Sequence, residues 1–268
     1  MPVSIQFLGV GGAFAMPTTP GDLSTAPMQS NMVITSESGK LMLFDCGGDI
    51  RFSAQMCGYG PNSFDAVYIS HEHADHAGGL EWLLLNRLFG GGLKPVLIAE
   101  TKLIQNLWKV LRPGLRVTTK GLMRSGHYYD ERWFSLNEFK EDDRMAWEDL
   151  TLFLVENVHV RHRTRPMISY GMIVETKRRS SFYVSADTVF ERETIIDIAE
   201  NTDIVFHDCE VGYKTGVHAH YDELLTLPDD VRAKMWLYHY NPVEAAKRDP
   251  TADGFLGFVA RGQTFTFD

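Results

Sequence analysis

Apolar and polar residues alternate from Val3 to Leu8 as on a half-buried strand, and the run ends in Gly9-Val10-Gly11-Gly12, a turn tolerant of positive φ. Neither Phe14-Ala15-Met16-Pro17 nor the Pro/Thr/Gly stretch running on to Pro27 opens a helix, so a dinucleotide-binding fingerprint is set aside. Met32 to Thr35 and Lys40 to Phe44 predict two more strands around Ser36-Glu37-Ser38-Gly39, with a glycine-rich exit at Asp45-Cys46-Gly47-Gly48. Asp65 to Ser70 is a short apolar strand, Gly78 to Leu88 a helix, Pro95 to Ala99 a strand and Leu103 to Leu111 a helix. Pro113 to Glu148, rich in charge, glycine and aromatic residues, breaks this rhythm and is expected to be an insertion with short strands. The pattern then resumes with strands at Leu150 to Val155, Tyr170 to Glu175 and Ser181 to Ser185, and a helix at Glu191 to Glu200. A strand at Asp203 to His207, a helix near Tyr221 to Leu225 and a strand at Met235 to Tyr238 complete it. No period of 20 to 50 residues recurs, which excludes a repeat array.

The strand ending at Ser70 runs directly into His71-Glu72-His73-Ala74-Asp75-His76, four metal-ligand side chains in six residues. Residues two apart on an extended segment point the same way, so His71 and His73 can grip one ion, while Asp75 and His76 face a neighbouring position. Composition narrows the setting. A chain of 268 residues, 44% hydrophobic, supports a full core and is expected to form one domain. Its 26 Lys and Arg against 35 Asp and Glu give a charge of -9, which disfavours extended nucleic acid as a partner. The three cysteines form no C-x-x-C pair and suggest neither a disulfide framework nor a thiolate metal site. With no basic leader and no apolar run long enough to cross a bilayer, a cytoplasmic protein without membrane attachment is expected.

The H-x-H-x-D-H pattern of His71 to His76 resembles the metallo-β-lactamase superfamily, and Phe7-Leu8-Gly9 with Leu43-Phe44-Asp45-Cys46-Gly47 resembles its branch of ribonuclease Z and related phosphodiesterases. The resemblance implies a four-layered α/β/β/α sandwich and three further ligands at strand ends. His159 in Val158-His159-Val160 matches the third histidine, with His162 as its rival; Asp187 matches the bridging aspartate and His239 the last histidine. Taken together, His71, His73 and His159 would hold one divalent ion and Asp75, His76 and His239 a second, with Asp187 shared. Zinc is the first expectation and manganese the runner-up, because mixed imidazole and carboxylate ligation suits both. Two such ions imply hydrolysis, with Asp75 also orienting the attacking water. Asp45 either orients a ligand histidine or is an acidic turn residue.

The motif does not choose a substrate. The phosphodiesterase branch carries a His-Glu dipeptide and a later histidine opening a helix. Here His207-Asp208 precedes His218-Ala219-His220, so Asp208 could hold His218 protonated as general acid for a leaving alcohol, with His220 as a substrate contact. His162 and Arg163 are candidate anion contacts. Within the 113–148 stretch, Arg124 to Tyr129 and Arg132 to Phe134 mix cations with aromatics, suiting a phosphate with a stacked base or, equally, ordinary packing of the insertion or a homodimer contact. A small phosphodiester is the expected substrate, either a cyclic nucleotide, since phage and bacterial enzymes that degrade such signals share this pattern, or a phosphorylcholine ester. A tRNA 3′-processing endonuclease, a lactonase or thioesterase, and a degenerate metal-stabilised binding module are the alternatives.

Overall fold

The protein is described by a computed structural model covering residues 1–118, 135–139 and 144–268. The first half of the chain supplies β1 (Val3–Phe7), β2 (Met32–Thr35), β3 (Leu41–Phe44), β4 (Ala66–Tyr68), β5 (Val96–Glu100) and β6 (Ser135–Phe139). The second half supplies β7 (Arg144–Trp147), β8 (Leu150–Val160), β9 (Met167–Glu175), β10 (Ser181–Val184), β11 (Ile204–Asp208), β12 (Met235–Tyr238) and β13 (Gly257–Phe258). A last strand, β14 (Thr264–Phe267), ends the chain. Hydrogen bonding orders them β14-β1-β2-β3-β4-β5-β6 in one sheet and β13-β12-β11-β10-β9-β8-β7 in the other, so each half of the chain builds one sheet and β14 returns to close the first. Both sheets mix parallel and antiparallel pairs.

The alternation of side chains sets the layers. Ile5, Phe7, Met42, Phe44 and Tyr68 of the first sheet meet Leu152, Met172, Val174, Phe182 and Phe206 of the second in a dry seam between the sheets. Intervening residues point outward. Val33, Leu43, Val67 and Leu97 lie under α1 (Ile50–Met56), α3 (Leu80–Phe89) and α4 (Thr101–Thr118), with the single turn α2 (Ala74–Ala77) between the first two. Tyr183, Val205 and Leu237 lie under α5 (Arg192–Asn201), α6 (Tyr221–Leu224) and α7 (Asp229–Arg232); α8 (Pro242–Ala245) comes after β12. The result is the four-layered α/β/β/α sandwich. Central strands covered on both faces read as nearly unbroken apolar runs, as Leu41-Met42-Leu43-Phe44 does.

Several elements depart from the sequence reading. Helix α1 has only Ile50, Ser53 and Ala54 buried, too short an apolar stripe to stand out behind the glycines. Strand β8 runs on to Val160 and β9 begins at Met167, because the two pair as one long hairpin. Helix α4 extends past Pro113, and the Glu100 carboxylate at its start accepts from the amides of Lys102 and Leu103. Of the 113–148 stretch, the described residues finish α4 and provide β6 and β7, edge strands of the two sheets. The Arg124 to Tyr129 and Arg132 to Phe134 motifs lie outside the described residues. Among the described residues no helix is long and apolar enough to cross a membrane.

Phe44 is fully buried in the inter-sheet seam with its ring 4.7 Å from that of Tyr68. Phe44→Ala is therefore expected to cost about 3–5 kcal/mol of unfolding free energy with an unchanged denaturant m-value, read from urea titration.

Candidate active site

Strand ends from both sheets converge on one edge of the sandwich. The loop after β4 carries His71 and His73, α2 carries Asp75 and His76, and Asp187, Asp208 and His239 follow or end β10, β11 and β12. The change from extended chain to a helical turn within six residues is what aims the two halves of the motif at different points. The backbone here is forced: Asp45, Ala186 and His239 adopt φ of 63°, 53° and 64°, the left-handed region, just past β3, β10 and β12. Gly12 answers the last of these. A Cβ on it would lie 2.7 Å from Cε1 of His239, so the turn after β1 must be glycine for the imidazole to sit where it does.

Three ring nitrogens meet in the first group. His73 Nδ1 lies 3.1 Å from His71 Nε2 and 3.1 Å from His159 Nε2. The far nitrogens are spoken for: His159 Nδ1 donates to the carbonyl of Val217 (2.9 Å), and His71 Nδ1 lies 3.0 Å from the Ser70 hydroxyl. Those contacts leave lone pairs facing inward. Tetrahedral donors at zinc distances stand about 3.3 Å apart, close to the observed separation. His159 sits on β8 itself, at a register shift between Val158 and Val160, and not on a loop after the strand.

The second group is Asp75, His76, Asp187 and His239. His76 Nε2 is 3.3 Å from Asp75 Oδ2 and 3.2 Å from Asp187 Oδ1, while His239 Nε2 is 3.6 Å and 3.3 Å from the same oxygens. Asp187 turns its other oxygen, Oδ2, to the first group, 3.8 Å from His71 Nε2 and 3.6 Å from His159 Nε2. One carboxylate thus addresses both groups. Asp45 is the orienting residue: fully buried, it accepts a hydrogen bond from His76 Nδ1 at 2.7 Å and from the amide and hydroxyl of Ser70, each at 2.8 Å. A bare turn residue would have no reason to be so enclosed.

The ionisation states of His71, His159, Asp75 and Asp187 suit cations. Burial holds the His71 imidazole well below its usual range and lowers His159 too, so both are neutral donors. Asp187 and Asp75 are opposed by burial, yet the facing imidazoles of His239 and His76 keep both carboxyls well below the usual carboxylate range. Burial likewise opposes a charged His76, but Asp187 and Asp45 outweigh it and push that imidazole up. His76 Nε2, Asp187 Oδ1 and His239 Nε2 are buried atoms without a hydrogen-bond partner, although the two nitrogens stand 3.2 and 3.3 Å from the carboxylate oxygen. Unpaired buried polar atoms are costly, and divalent ions would satisfy all three at once. The residues therefore fit two divalent ions.

Beside these groups, His218 Nδ1 is 2.7 Å from Asp208 Oδ2 and 3.9 Å from Asp187 Oδ2. Burial disfavours the imidazolium, but the hydrogen bond and charge of Asp208 prevail and raise its pKa to about 9. Asp208 also accepts from the Thr188 amide (3.1 Å). His220 is a correction to the sequence reading. It is buried as the N-cap of α6, Nδ1 accepting from the Asp222 amide and Nε2 lying 3.1 Å from the Gly212 carbonyl, so it is a capping residue with both nitrogens engaged. His162 and Arg163 lie on the exposed turn between β8 and β9, outside both groups; His162 Nδ1 accepts from the Thr164 amide and hydroxyl. Ser70 and Gly12 were missed in the sequence, since neither a serine nor a glycine turn signals a role in holding an imidazole.

A two-sheet sandwich with paired histidine and carboxylate groups at its edge defines a metal-dependent hydrolase of the metallo-β-lactamase fold. The chain belongs to the family described as Anti-Pycsar protein Apyc1, which it matches over residues 3–265. It is similar to the Anti-Pycsar protein Apyc1 of Paenibacillus harenae, with 33% identity over 238 residues, covering 88% of this chain and 89% of that one. It is also similar to that of Bacillus phage BSP38, with 31% identity over 267 residues and 97% of each chain covered. Its backbone is similar to the crystal structure of the metallo-β-lactamase fold protein YhfI from Bacillus subtilis, with a TM-score of 0.72, 16% identity and 99% of each chain covered.

Elemental analysis of metal-supplied protein is expected to find two ions per chain, and Asp187→Ala, which removes the shared ligand, less than one, with the circular dichroism of the fold retained. Gly12→Ala, which drives the His239 ring aside, is expected to lose one ion and keep the other. Two ions retained in Asp187→Ala would mean that this carboxylate bridges nothing.

Proposed function

We propose that the protein is a phosphodiesterase that opens a small cyclic nucleotide, with His71, His73 and His159 holding one divalent ion, Asp75, His76 and His239 the other, and Asp187 both. Zinc is the first choice of metal and manganese the second, since the donors are imidazole and carboxylate without thiolate. Such ions would supply Lewis acidity at the phosphate oxygens and would lower the pKa of the attacking water. The remaining steps fall to side chains. Asp75 orients the water through its carboxylate, and Asp45 keeps the His76 ring turned so that Nε2 faces inward. His218, kept protonated by Asp208, gives its proton to the leaving alkoxide.

The observation that carries this reading is the contact between His218 and the buried Asp208, placed against Asp187. A proton donor at that spot is what departure of a sugar hydroxyl requires. Kinship with Anti-Pycsar proteins of phages and bacteria supports a cyclic nucleotide over a phosphorylcholine ester. The charge of -9 argues against tRNA, and partnerless buried donor atoms argue against a mere binding scaffold. Cys46, Cys57 and Cys209 are unpaired, in keeping with a cytoplasmic setting.

Nitrophenolate leaves unaided whereas an alkoxide needs a proton. His218→Ala should therefore slow hydrolysis of a cyclic nucleotide about 10² to 10⁴-fold and leave bis(4-nitrophenyl) phosphate turnover largely intact, with metal content unchanged. Equal losses on both substrates would assign His218 to phosphate binding instead.

A further inference from the structure

A third set of ligand atoms converges at the same edge of the sandwich. Asp187, Asp208, His218 and His239 each present one nitrogen or oxygen, and these four atoms lie within 4.8 Å of one another. Two imidazoles and two carboxylates make up the set, the same donors that Asp75, His76, Asp187 and His239 offer. Asp187 and His239 belong to both. The ring of His239 stands between its alternatives, its centroid 5.7 Å from that of His76 and 4.6 Å from that of His218. Asp187 is divided in the same way, with Oδ1 3.2 Å from His76 Nε2 and Oδ2 3.9 Å from His218 Nδ1.

His239 Nε2 is buried without a hydrogen-bond partner, and a ring nitrogen has one lone pair to give. An ion held by it in one set therefore excludes an ion held by it in the other. Passing between the sets keeps two ligands and exchanges Asp75 and His76 for Asp208 and His218. The two sets differ in readiness. His76 has Nδ1 engaged by Asp45 and Nε2 facing inward unpaired, whereas His218 Nδ1 must give up its 2.7 Å hydrogen bond to Asp208, with the proton passing to solvent. The set with His76 is preferred while it is intact.

We propose that Asp187, Asp208, His218 and His239 form an alternative seat for the second divalent ion, a fallback position in which the metal-loaded protein is idle. The seat rests on the ligand assignment proposed above. An ion there is withdrawn from Asp75, the residue that orients the water, and occupies the nitrogen through which Asp208 engages His218. The ring is then a neutral ligand, and its remaining N–H is too weak an acid to serve a leaving alkoxide. One ion thus removes both the water's orientation and the proton donor.

The test counts zinc in metal-supplied, desalted protein by elemental analysis, with circular dichroism as the check on folding and the visible absorption of cobalt-loaded samples as a second readout. Wild type and His218→Ala are each expected to hold two ions. Asp75→Ala, which damages the preferred set, should also hold two, with the cobalt bands shifted from those of wild type. Asp75→Ala combined with His218→Ala should hold one, because neither seat is then complete. Asp75→Leu, of similar volume to aspartate and without a ligand atom, replaces Asp75→Ala in both comparisons if the alanine proteins fold poorly. One ion in the folded Asp75 single variant overturns the alternative seat. Two ions in the double variant overturn it as well, since the second ion then stays on His76, Asp187 and His239. Fewer than two ions in metal-supplied wild type overturns the two-ion assignment itself, and the seat with it.

Discussion

Four carboxylates, Asp45, Asp75, Asp187 and Asp208, are buried along one edge of the sandwich, and among the described residues none of them has a lysine or arginine partner. Buried anions must be neutralised, and the side chains available are imidazoles, weak bases whose charge depends on the carboxylates beside them. Divalent ions relieve this where protons only shift it. The hydrogen bonds of Asp45 and Val217 fix the outer nitrogens of His76 and His159, so each inner nitrogen faces the shared carboxylate of Asp187. Removing cations returns an uncompensated charge to the core, which couples metal binding to folding stability.

The sandwich supplies the rigidity that such a site needs. Strands β3, β4, β10, β11 and β12 are interior to their sheets and covered on both faces, so their ends are held while the loops beyond β3, β10 and β12 bend into the left-handed backbone of Asp45, Ala186 and His239. Such strain persists only where surrounding packing over-determines it. The seam of Phe7, Phe44, Tyr68, Phe182 and Phe206 below the site is that packing.

Much of this was legible in the sequence for a physical reason. Six consecutive residues carry four ligands, and a contiguous motif survives without knowledge of tertiary contacts. Central strands were visible as apolar runs for the same cause, burial on both faces. What escaped depends on distant neighbours. Asp45 finds His76 thirty-one residues on, so its orienting role could not be told from that of a turn residue. His218 and His220 stand two apart at one helix start, and only the turn of α6 decides that one meets Asp208 while the other caps a helix. The place of His159 inside β8 was not legible, because the strand is prolonged by pairing with β9 rather than by its own alternation.

The division of the sheets between the two halves of the chain bears on how the molecule is made. The first half alone would present His71, His73, Asp75 and His76 with no seam partner, and the set is complete only when His239 and the closing strand β14 have been synthesised. Contacts of such sequence separation form late and slowly. The nascent chain on the ribosome therefore lacks a complete ligand set until His239 has emerged, and β14 then adds to the edge of the first sheet beside β1.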